Sequence, residues 1–147
     1  MTLGEAVNTV IIDKLKRLII ENDMVATRAL LNSIRYEEKN LLEITTIDII
    51  ALDYIVGLDE GVEPGHKPVP EIADLQKWLS AKNLDLNPYA VKANIIKNGT
   101  SWYQQGGSHI VTDSINDEAI KQVIELATPD LQIKIKEQWQ LLFKNNL

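Results

Sequence analysis

The residues able to do chemistry are few and widely spaced. The chain has 2 histidines, His66 and His109, lying 43 positions apart, and no cysteine. Thiolate catalysis, disulfide frameworks and cysteine zinc sites are therefore excluded together. Two histidines at that separation lack the i, i+4 spacing that puts two metal ligands on one helix face, so neither a metal nor another cofactor is expected. Ser108, His109 and Asp113 supply the residue types of a nucleophilic triad. A serine adjacent in the chain to its own histidine does not easily reach that imidazole, and no Gly-x-Ser-x-Gly elbow accompanies it. Gly61-Val62-Glu63-Pro64-Gly65-His66-Lys67 superficially matches a phosphate loop, but its glycines are one residue too close. Pro68 also stands where Ser or Thr would hold magnesium, and Glu63 would repel phosphate. An enzyme using carboxylates alone would need Asp59 or Glu63 brought near Asp113, and no spacing favours that pairing. No catalytic residue is expected.

Recognition has better candidates. Gly99 to His109 reads Gly-Thr-Ser-Trp-Tyr-Gln-Gln-Gly-Gly-Ser-His, without a period of 2 or 3.6, and is predicted to be a mobile loop carrying Trp102, Tyr103 and Gln104. Large aromatics on a glycine-bounded loop either tuck over the chain's own core or anchor a partner. Charge offers a second surface. Of the net charge of -6, residues 1–36 carry +1, residues 37–63 carry -7 and residues 64–147 carry 0. The acids of the middle segment, among them Glu37, Glu38, Glu43 and Glu63, form either a solvated sheet face or a surface that repels DNA or docks on a basic neighbour. A chain with 15 basic and 21 acidic residues is not built mainly to neutralise phosphates.

The 147 residues suit one domain, with 45% apolar and 24% charged residues, close to the globular average. The most apolar stretch, Ile47 to Leu58, is broken by Asp48 and Asp53 and is too short to span a bilayer. Lys14, Lys16 and Arg17 lie inside the first apolar periodicity rather than ahead of it, so no signal peptide is expected.

Thr2 and Glu5 fit a capping box ahead of a helix from Glu5 to Asn22, whose Val7, Val10, Ile11, Leu15, Leu18 and Ile19 form one stripe. A short helical turn is predicted over Thr27–Ser33. Two strands follow, Ile34–Glu38 and Leu41–Asp48, joined at Lys39 and Asn40, and then an extended or partly helical piece over Ile50–Leu58. Six glycines and prolines between Gly57 and Pro70 require a loop. Pro70 is predicted to open a helix with Ile72, Leu75, Trp78 and Leu79 on its apolar face, running to about Lys82. Asn87 and Pro88 start another, with Tyr89, Ala93 and Ile96 on one side and Gly99 at its end. Ser114 is placed as the cap of a helix to Ala127 that buries Ile120, Val123 and Ile124. Thr128-Pro129 would end it and start a last helix with Leu131, Ile135, Trp139 and Leu142 as its stripe.

Six of these segments, taken in order, resemble a known pattern. They are Val25-Ala26-Thr27-Arg28-Ala29-Leu30-Leu31-Asn32-Ser33-Ile34, Tyr54 with Asp59-Glu60-Gly61, Pro64-Gly65, Pro68-Val69-Pro70, Trp78 to Lys82, and Ile95 to Gly99-Thr100. Over about residues 24–101 the chain resembles the neck and tail-completion proteins of tailed bacteriophages, the head-to-tail connectors. Two positions depart from that pattern: Arg28 stands where the family has glycine, and Asn83 replaces the glycine of a Lys-Gly helix end.

The resemblance implies an α+β fold, a small antiparallel sheet packed by helices; the N-terminal helix and the helical C-terminal extension over about 114–145 are read from their own periodicity, and the extension matches no part of the family pattern. The resemblance also implies a structural virion subunit, without enzymatic activity, at the head-to-tail junction. Such a subunit is made in the host bacterial cytoplasm and assembles with itself as a ring, most often a hexamer, a dodecamer being the other size. It contacts neighbouring neck, portal or tail proteins and completes a channel for DNA that it does not read by sequence; no membrane is involved. The interface candidates are then Trp102, Tyr103 and Gln104 as an arm, Glu37, Glu38 and Glu43 along the channel, and Glu63 and His66 in the loop. The alternative is a small acidic adaptor or inhibitor that binds a single protein.

Overall fold

A computed structural model describes residues 1–25, 28–42, 44–52, 55–65 and 70–145. The fold is α+β, with one two-stranded antiparallel sheet among helices.

The capping box forms as predicted: Thr2 Oγ1 accepts from the Glu5 amide at 3.2 Å, and Glu5 Oε2 accepts from the Thr2 amide at 2.8 Å. Helical backbone then continues through α1 (Leu3–Val7), a π-helical turn (Asn8–Ile12) and α2 (Asp13–Glu21). Successive residues on a helix point about 100° apart, so Ile11 and Ile12 serve different clusters. Ile11 packs with Ala6, Val7, Ala119, Val123 and Ala127. Ile12 packs with Leu15, Ile19, Leu30, Ile34 and Ile110. The N-terminal helix is thus the wall shared by both halves of the core.

After α3 (Ala29–Ser33) come β1 (Arg35–Leu41) and β2 (Ile44–Ile50), in register from Arg35 opposite Ile50 to Leu41 opposite Ile44. The predicted joint at Lys39 and Asn40 is therefore wrong. Both residues stay in β1, opposite Thr46 and Thr45, and the chain leaves β1 through Leu42 at φ 55°. Cross-strand pairs explain the longer hairpin: Asn40 Oδ1 accepts from Thr45 Oγ1 at 2.7 Å, and Lys39 Nζ meets Asp48 Oδ2 at 2.6 Å. Residues alternate between the two faces. Tyr36, Ile47 and Ile49 face the clusters, and the Tyr36 ring lies where a Cβ on Gly4 would approach it to 2.4 Å.

The piece predicted over Ile50–Leu58 divides: β2 ends at Ile50, and α4 (Ile55–Glu60) carries helix into the glycine-rich stretch. In α5 (Ile72–Ala81), Glu71 is the N-cap and Pro70 lies ahead of it, so Pro70 does not open the helix. Leu75 and Leu79 are buried as expected, while Trp78 is exposed. In α6 (Pro88–Asn98), Asn87 Oδ1 accepts from the Tyr89 amide at 2.9 Å and Gly99 ends the helix, as predicted. The side that carries Tyr89, Ala93 and Ile96 is on the surface, with Tyr89 and Ile96 exposed. Helix α6 packs mainly on α5, and a helix pair alone encloses little apolar surface.

Residues 101–104 form a short helix, α7 (Ser101–Gln104), and α8 (Ile110–Ser114) follows. Ser114 is not a cap: it is fully buried at the end of α8, its hydroxyl donating to the Ile110 carbonyl at 2.5 Å. The capping oxygen is Asn116 Oδ1, which accepts from the Ala119 amide at 2.8 Å. Helix α9 (Asp117–Asn145) then runs unbroken through Pro129. Proline removes one donor and crowds the preceding turn. Here Thr128 donates its hydroxyl to the Ile124 carbonyl at 2.5 Å, and Glu125, whose carbonyl would have received the missing N–H, is exposed to water. The buried residues of α9 are Ala119, Val123 and Ala127, and the predicted core residues Ile120 and Ile124 are exposed. The two alanines let α9 approach α1 closely, which sets the helix rotation.

Candidate interaction surface

The aromatic segment sits on a clamp formed by two stretches that are far apart in the chain. Thr100 is the centre of it. The Thr100 amide donates to the Val62 carbonyl at 2.9 Å, and Thr100 Oγ1 accepts from the Val62 amide at 2.9 Å and caps α7 at the Tyr103 amide. The Gly65 amide donates to the Ile96 carbonyl at 2.8 Å. Gly61, at φ +78°, lies so close to α7 that a Cβ there would stand 2.2 Å from the Tyr103 nitrogen. Both the backbone sign and the contact require glycine.

Asp59 extends the clamp to α8. Its carbonyl accepts from the Ser108 and His109 amides at 2.9 and 3.0 Å. Its carboxylate accepts from the Val111 amide at 2.8 Å and from the Thr112 amide and hydroxyl at 3.3 Å. His109 occupies the N-cap position of α8 in a left-handed conformation and gives no side-chain cap, so Asp59 caps this helix from elsewhere in the chain. Ser108 Oγ donates to the Leu58 carbonyl at 2.5 Å. The serine and carboxylate weighed for catalysis thus hold backbone. Among the described residues, no three His, Asp or Glu side chains group as a metal site.

Trp102, Tyr103 and Gln104 thus lie in a short helix and not in a loop, with Trp102 partly buried, Tyr103 41% exposed and Gln104 Nε2 donating to the Asn98 carbonyl at 3.2 Å. Glu63 is exposed on the clamp loop beside them. Glu37 and Glu38 lie on opposite faces of β1 and do not form one wall. Glu37 Oε1 meets Arg35 at 3.2 Å, and across the strands Lys39 meets Asp48. The Asp48 carboxylate holds the Lys39 pKa above its ordinary value, first by accepting its hydrogen bond and then by charge. Glu43 and His66 lie outside the described residues. The hairpin end adds an exposed apolar group, Leu41, Leu42 and Ile44.

Sequence reasoning missed the structural roles of Asp59, Thr100 and Lys82. A threonine directly before Ser-Trp-Tyr-Gln carries a cap signal; Asp59 and Lys82 act across long sequence separations and carry none. Lys82 Nζ, its side chain only 15% exposed, donates to the Asp23 carbonyl at 2.5 Å and to Asp23 Oδ1 at 2.9 Å, tying the end of α5 to the end of α2. No protein-family model, curated protein or solved structure matches the chain.

Proposed function

We propose that this chain is a ring-forming connector subunit of a tailed-bacteriophage virion, acting at the neck or tail-completion position between portal and tail. The observation that carries the reading is the backbone at its two departures from the connector pattern. Arg28 and Asn83 replace glycines of that pattern, and both adopt left-handed conformations, at φ 64° and 58°. Left-handed backbone is where glycine is ordinarily used, so both positions are ones that the glycine of the pattern would suit. Two further parts of the pattern are joined: Val62, between Asp59-Glu60-Gly61 and Pro64-Gly65, exchanges hydrogen bonds with Thr100, and the Gly65 amide donates to the Ile96 carbonyl. Ser33 Oγ accepts from the Leu52 amide at 3.1 Å, joining α3 to the exit of β2.

On this reading the protein works by assembly, with no reaction to catalyse. The short aromatic helix at Trp102 and Tyr103 and the apolar hairpin end are surfaces for neighbouring subunits. Static light scattering of the purified protein over a concentration and salt series tests the reading. It predicts a closed species with a mass near six times 16.6 kDa. Trp102→Ala with Tyr103→Ala should reduce that species while leaving the circular dichroism unchanged. A monomer under every condition would count against the ring.

A further inference from the structure

Beyond Ala127, helix α9 carries an apolar stripe that its own chain leaves in water. Ile124, Thr128, Leu131, Ile135, Gln138 and Leu142 follow one another at intervals of 4, 3, 4, 3 and 4 residues, the spacing of a coiled-coil seam. Its apolar members are 55%, 41%, 54% and 55% exposed in chain order. The contacts of α9 with α1 are made through Ala119, Val123 and Ala127, a different side of the helix, so the seam is accessible along its length. We propose that this seam pairs with the same seam of a second copy of the chain.

Two observations point to a second copy as the occupant. The interval series reads identically in both directions, so the seam is self-complementary. In a parallel pair each residue meets itself, with Gln138 opposite Gln138. In an antiparallel pair Ile124 meets Leu142, Leu131 meets Ile135 and Thr128 meets Gln138. Either way apolar groups meet apolar groups and polar meet polar: a Gln138 amide both donates and accepts, and the Thr128 hydroxyl, which donates to the Ile124 carbonyl, can still accept from the Gln138 facing it in the antiparallel pair. A polar pair within such a seam sets register. Area agrees. With the flanking Ile120 and Leu141 also exposed, six large side chains about half exposed offer on the order of 600 Å² per copy, so complete burial in two copies would reach about 1,200 Å², the lower edge of the range of stable interfaces. The inference stands apart from the connector reading, since pairing through α9 is measured on the isolated protein whatever its role.

The chain has 0 cysteines, so an introduced thiol is the only one present. Full-length Gln138→Cys under mild oxidation should form a covalent dimer of twice 16.6 kDa if the pair is parallel. An equimolar mixture of Thr128→Cys and Gln138→Cys should form the mixed dimer if it is antiparallel, because only facing seam positions come within the about 6 Å Cα separation of a disulfide. Either result, abolished by adding Leu131→Glu to the same chain with helical circular dichroism retained, supports the proposal. Gln140→Cys, about 200° around the helix from Gln138, should form no covalent dimer. The absence of any cross-link in the Gln138→Cys and mixed samples would overturn the proposal, as would cross-linking of Gln140→Cys at an equal rate.

Discussion

Lys39 and Asp48 illustrate how little of the hairpin's formal charge acts freely. The middle of the chain counts eight acids against one lysine, yet that lysine meets Asp48 at 2.6 Å and Arg35 meets Glu37 at 3.2 Å. The raised Lys39 pKa sets the sign of its pH dependence. The charged lysine is favoured in the folded chain, so this contribution is fully present below the ordinary value of 10.5 and is lost as pH rises through the higher folded value. A titration followed at the lysine Cε resonances should show Lys39 deprotonating above 10.5, and Asp48→Asn should bring it back toward that value. A Lys39 titration that does not respond to Asp48→Asn would show that the pair is absent in solution. Arg28 has a different local role, since its left-handed backbone at φ 64° turns the chain into α3.

Elements acquire their positions from side chains that reach across the sequence, and Asp59 is the clearest case. Helix α8 has only five residues and no cap of its own, so the Asp59 carboxylate supplies the acceptors for its first amides. Asp59→Ala should destabilise the protein by about 1–2 kcal/mol, the usual cost of losing a cap. Asp59→Asn, which keeps one acceptor, should cost less. The reading is a shift in urea midpoint at constant slope, and an unchanged midpoint for Asp59→Ala would remove Asp59 from this role. The same long reach limits what the sequence discloses. The Thr2 and Glu5 capping box, the Asn87 and Pro88 helix start and the Leu75 and Leu79 face are local signals, and all three are present in the fold. The Trp102 segment was hidden because its order comes from Val62 and Gly61, about forty positions away. Pro129 signals a break when taken alone, whereas the helix continues through it, with the Thr128 hydroxyl donating to the Ile124 carbonyl and Glu125 exposed. Burial in α9 was misassigned because Ala119 and Ala127 carry little hydrophobic signal, yet they decide which side meets α1.

For the whole molecule, the two clusters that share the N-terminal helix form a core that leaves many apolar residues exposed among the described residues, at the hairpin end (Leu41, Leu42), on α5 and α6 (Trp78, Tyr89, Ile96), at Tyr103 and along the outer length of α9. Monomeric proteins scatter exposed apolar residues singly, whereas contiguous groups mark interaction sites. No described helix is long and apolar enough to cross a membrane. Identical subunits joined head to tail close into a ring when the rotation between them divides a full turn, and a connector requires that geometry around DNA. The most direct test is electron microscopy of the purified full-length protein, with particles averaged in end-on views. The account predicts closed rings of about six subunits around an open axial channel. Isolated particles of one or two copies at every concentration, or rings without an open axis, would contradict it.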